Sequence, residues 1–63
     1  MDRDSLLNMD SYMALSIVNM KLRDEFSSLQ DFASYYSIEI EVLEKKFGAI
    51  GYFYDNKTNS FTA

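Results

Sequence analysis

Apolar positions along the first half of the chain recur at helical spacing. Leu15, Val18, Leu22 and Phe26 follow one another at steps of three, four and four. At 100° per residue they share one face, with Tyr12 at its edge, which predicts an amphipathic helix over about residues 11–25. Asp10 stands where an N-cap carboxylate would accept an orphan backbone N–H. A second apolar stripe, Met13, Ile17 and Met20, falls on a different face of the same helix. A helix with two apolar faces in so short a chain needs two surfaces to pack against.

The second half repeats the pattern in shorter pieces. Ser28-Leu29-Gln30-Asp31 reads as a capping box with Asp in place of Glu, opening a helix over about residues 29–36. Leu29, Phe32, Ala33 and Tyr36 set its core face. A break at Ser37-Ile38 precedes a third helix over about residues 40–50, with Leu43, Phe47 and Ile50 inward. Gly51 suits the left-handed position that ends a helix. Aromatics at Tyr52, Phe53, Tyr54 and Phe61 then flank the turn formers Asp55-Asn56-Lys57-Thr58-Asn59, the pattern of a short β-hairpin. Such a hairpin is marginal alone and must lean on the helices through one aromatic face. Residues 1–9 form a polar lead-in carrying Leu6, Leu7 and Met9, either a frayed extra turn or a flap on the core.

These elements predict one domain over residues 1–63: a lead-in (1–9), helix 1 (10–26), a helix-turn-helix pair (28–51) and a hairpin (52–63). The fold class is mainly α (α+β), three helices with a C-terminal β-hairpin, truncated and winged-helix-like. Small Ala33 lets the two paired helices cross closely, and Leu43 and Phe47 fix their angle. In a DNA-reading version the N-terminal residues of the third helix meet base edges. Here those residues are Glu39, Glu41 and Glu44, with Lys45 and Lys46 behind them and Lys57 at the hairpin tip. Residues 27–63 carry five acids against three lysines. The expectation is a solvated face rather than a groove reader. Lys45, Lys46 and Lys57 are the contacts the DNA alternative would use.

Composition changes the picture in two ways. The chain has 63 residues, 48% of them hydrophobic and ten aromatic, too rich for intrinsic disorder. At this size only about 60% of the unfolded surface is buried, and small domains recruit disulfides, metals or oligomerisation. Without a cysteine or histidine, disulfides and the commonest metal ligands are closed, which leaves oligomerisation. The net charge of −4 lowers the prospect of phosphate-backbone binding. No run approaches a membrane span or a signal peptide, so the expected location is the cytoplasm, with no membrane partner.

No catalytic constellation emerges. Serines lack a histidine to activate them, and Ser16 and Lys21 do not share a helix face. Asp2 with Asp4 and Asp24 with Glu25 read as exposed charge. Residues 55–59 lack the ligand alternation, the glycine and the terminal Glu of a calcium loop. Two glycines cannot build a phosphate loop. The expectation is therefore no enzyme, no cofactor, no metal and no small-molecule ligand. Tyr35, Tyr36 and the hairpin aromatics read as core packing, with some available to an interface. The Met13, Ile17 and Met20 stripe is the expected interface, either covered by residues 1–9 or shared with a protein partner or a second copy in a homodimer.

The stretch Asn8-Met9-Asp10-Ser11-Tyr12-Met13-Ala14-Leu15-Ser16-Ile17-Val18-Asn19-Met20-Lys21-Leu22-Arg23-Asp24 resembles the opening of a bacterial family of small proteins, the domain of unknown function numbered 4250. Ser28-Leu29 and the Ile50-Gly51-Tyr52 step are also similar, so the resemblance spans roughly residues 8–62. It implies no activity and assigns no functional residue. It does draw attention to Asn19 and Arg23, four apart on one helix face. They form either a polar recognition spot or structural contacts, and the structural reading is favoured.

Overall fold

The computed structural model describes residues 2–63, and its element order is four helices followed by a two-stranded sheet. The first helix, α1 (Arg3–Asn8), occupies the lead-in. The Asp2 carboxylate caps it, accepting from the Ser5 N–H at 2.8 Å. Leu6 is fully buried in the core, so the segment is a flap and not a frayed turn, and the helix count is four where periodicity predicts three. Six residues are too few for a 3.6-residue period to show in the sequence.

The long helix α2 (Ser11–Asp24) begins at Asp10, whose carboxylate accepts from the N–H groups of both Tyr12 and Met13. Ala14, Leu15, Val18 and Leu22 form its buried face. Helix α3 (Leu29–Tyr36) starts on Ser28, whose hydroxyl accepts from the Asp31 N–H at 3.1 Å. Only half of the predicted capping box forms, because the Asp31 carboxylate accepts from the Ser27 hydroxyl instead. Ser37 ends α3 in the left-handed conformation, and buried Ile38 follows with its N–H donating to the Ala33 carbonyl. Helix α4 (Ile40–Gly48) stops two residues short of the sequence expectation. Gly51, at φ +86°, takes the left-handed position, and the Tyr52 N–H donates to the Phe47 carbonyl to close the turn.

The hairpin strands are β1 (Phe53–Asp55) and β2 (Ser60–Thr62), antiparallel with Tyr54 opposite Phe61. Because side chains alternate, Tyr54 and Phe61 face the helices while Phe53 faces out, 63% exposed. The Phe61 ring sits 4.9 Å from that of Phe47 and 5.6 Å from that of Tyr54. Leu6, Val18, Leu22, Phe32, Leu43, Phe47 and Phe61 thus make one core to which every element except β1 contributes a buried residue.

Candidate interaction surface

The outward side of α2 is the most distinctive part of the surface. Its inner residues occupy the core, which turns Met13, Ile17 and Met20 away from it. Met13 is 60% and Met20 44% exposed, and Ile17 is half-buried. The flap α1 leaves Met13 and Met20 exposed, while its own buried residue Leu6 enters the core cluster. The structure therefore leaves the three residues together on one open apolar strip.

Beside the strip lies an open groove of about 780 Å³ between α2 and the hairpin. Ser16, Asn19, Met20 and Arg23 line it from α2, and Thr58, Asn59 and Ser60 from the hairpin. Both asparagines are structural. The Asn19 carboxamide accepts from the Phe61 N–H at 2.8 Å and donates to the Phe61 carbonyl at 3.1 Å. Asn59, at φ +52°, donates to the carbonyls of Leu22 (3.0 Å) and Phe26 (2.9 Å) at the end of α2. Its own carbonyl accepts from the Tyr54 hydroxyl at 2.7 Å, and that hydroxyl accepts from the Leu29 N–H at the start of α3. One turn residue thus joins the last turn of α2, the hairpin and the first turn of α3. A left-handed conformation at a non-glycine residue favours Asn, so the turn cluster did hold a signal for this position.

Charge at the rim is mostly paired locally. Arg23 donates through Nε and Nη2 to both Asp24 oxygens at 2.9 Å, and Arg23 raises no wall of free positive charge. The pair holds the Asp24 carboxyl below the usual carboxylate range. Lys21 donates to Glu25 at 3.2 Å, which raises its pKa above the usual lysine value. Of the two readings of Asn19 and Arg23, the favoured structural one describes Asn19, a fold contact to Phe61, while Arg23 pairs with its chain neighbour Asp24 on the surface beside the groove.

The three lysines of the DNA alternative have different surroundings. Lys46 is half-buried and donates to the Leu7 carbonyl at 3.2 Å and the Met9 carbonyl at 2.8 Å, at the C-terminal end of α1. Lys45 and Lys57 are exposed and form no ion pair among the described residues. Glu41 and Glu44 are exposed on α4 beside Lys45. Among the described residues no group of His, Cys, Asp or Glu is placed to hold a metal ion, and no helix is long and apolar enough to cross a membrane.

Four helices closed by a C-terminal antiparallel hairpin define a small, mostly helical α+β domain. The chain belongs to a family described as a domain of unknown function (DUF4250), whose sequence profile matches residues 8–61. No curated protein and no solved structure matches it.

Proposed function

We propose that this domain is a non-enzymatic interaction module that self-associates through the outer face of α2. The supporting observation is the exposure of Met13 and Met20 beside half-buried Ile17, on a helix whose other face already fills the core. Exposed apolar strips rimmed by polar residues are characteristic of interaction sites. Methionine adapts to irregular partner surfaces, and two-fold dimers are the commonest assemblies of a single chain. Burying the strip in a dimer would also supply the help a 63-residue core needs. Sedimentation of the full chain across micromolar concentrations tests this. The expected result is a concentration-dependent shift above 7.3 kDa that Met20→Glu abolishes without unfolding the monomer. A single 7.3 kDa species at every concentration would sink the reading.

A DNA-binding reading is the alternative, supported by the α3–turn–α4 arrangement followed by a hairpin in the place of a wing. Glu41 and Glu44 on α4, and the engagement of Lys46 with α1, weigh against it. Affinity for duplex DNA that falls steeply with salt would favour it.

A further inference from the structure

We propose that Met13 and Met20 are a paired oxidation site, and that their conversion to sulfoxides by hydroperoxides switches off association through α2 while leaving the fold intact. The inference rests on the self-association reading for its consequence, but the site itself follows from the placement of the sulfurs. Both side chains stand on the open strip of α2, at 60% and 44% exposure. Met9, by contrast, is half-buried, packs against the core and lies at the α1 terminus where Lys46 is anchored. No cysteine is present to react first.

The chemistry is a two-electron oxygen transfer. A thioether lone pair attacks one peroxide oxygen, the S–O bond forms and the O–O bond breaks. The electron pair of the O–O bond leaves with the second oxygen as hydroxide, which takes the proton from the transferred oxygen, so that sulfur is oxidised to sulfoxide and the peroxide is reduced to water. The product is polar where the thioether was apolar, which disrupts methionine-rich interfaces. Because Met13 and Met20 sit outside the core, the change falls on the strip and not on the buried face of α2 formed by Ala14, Leu15, Val18 and Leu22. Oxidation reaches the monomer, since association covers the same sulfurs. The rate at these two residues should therefore fall as protein concentration rises.

The test treats the full chain with hydrogen peroxide at low concentration, maps oxygen uptake by peptide mass, and follows circular dichroism and sedimentation. Met13 and Met20 should gain oxygen several-fold faster than Met9, with the helical spectrum retained and the sedimentation shift lost. The M13L/M20L double variant should still associate and should resist peroxide. Equal rates at Met9 would overturn the site. An oxidised chain that associates as well as the untreated one would overturn the switch. An untreated chain that is monomeric throughout would instead overturn the self-association reading and the switch with it, while the mapped rates still decide the site.

Discussion

Asn19 on α2 and Phe61 on β2 exchange two hydrogen bonds, side-chain amide against backbone peptide, at 2.8 and 3.1 Å. In the antiparallel hairpin, the Phe61 N–H and carbonyl point away from β1 toward α2. Asn19 gives them the pairing a third strand would give. It holds a hairpin that would be marginal alone against the helices, and it blocks the outer edge of β2.

Removing this clamp should cost stability out of proportion to its size. Asn19→Ala leaves two half-buried backbone groups without partners, and each such loss costs about 1–3 kcal/mol. Total stability for 63 residues is about 3–9 kcal/mol, so the variant should unfold at a visibly lower urea midpoint. Asn19→Asp can still accept from the Phe61 N–H but places an oxygen against its carbonyl. It should be at least as damaging. Urea titration by circular dichroism checks both, and unchanged midpoints would remove the clamp from the account of stability.

Asn59 offers a separable test of conformation and bonding. Its φ of +52° favours glycine, whereas its three side-chain hydrogen bonds, to Leu22, Phe26 and the Tyr54 hydroxyl, need the carboxamide. Asn59→Ala loses both, and Asn59→Gly loses only the bonds. The Ala variant should therefore be less stable than the Gly variant by about 1 kcal/mol, the usual penalty of a left-handed alanine. Tyr54→Phe should lose about 1 kcal/mol through the missing hydroxyl. Thermal unfolding of the three variants ranks them, and a Gly variant as stable as the parent would show that the carboxamide contributes nothing.

Periodicity carried the long elements well. Asp10 as the cap of α2, the core face of Leu15, Val18 and Leu22, the helix pair, and the inward aromatic face of the hairpin are all legible from spacing and turn chemistry. The flap was not, because six residues contain fewer than two helical turns, and Leu6 declares itself only through the pocket it fills. The Asn19 and Asn59 contacts were also hidden. They join residues 42 and 37 positions apart, and no local pattern encodes a polar contact at that distance. The apolar strip was legible as a second face. That α1 would leave it open was not, because both a covering and a non-covering lead-in fit the same sequence.

The flap should depend on one apolar and one polar anchor. Leu6→Ala leaves a cavity where a fully buried side chain stood, at a cost of about 2–5 kcal/mol. Lys46→Met keeps the half-buried stem but removes the donors to the Leu7 and Met9 carbonyls. Amide exchange in residues 3–9 should then quicken in Lys46→Met, while the β2 amides stay protected. Lys45→Met, at an exposed position on the same helix, should change neither. Uniform quickening across the whole domain would show instead that the flap unfolds only with the core.

Acid should weaken the fold through carboxyls that the folded state keeps ionised. The backbone N–H of Ser5 lowers the Asp2 pKa, the Arg23 side chain lowers that of Asp24, and the Glu39 backbone N–H together with Arg3 lowers that of Glu39. A carboxyl that binds protons less readily when folded contributes stability that is fully present above its unfolded value. That contribution is lost as pH falls through the lower, folded value. Lys21 has the opposite sign: Glu25 raises its pKa, so its contribution is fully present below the ordinary lysine value and is lost as pH rises through the raised one. The urea midpoint should therefore be flat near neutrality and fall below about pH 4, where these carboxyls titrate. Asp2→Asn isolates one of them, because Asn caps a helix about as well as Asp but does not titrate. Its midpoint should match the parent less closely at pH 7 than in acid below the lowered folded value of Asp2, where the parent has lost the charge that Asn never had. A difference that is the same at both pH values would show that the Asp2 contact contributes through its hydrogen bond alone.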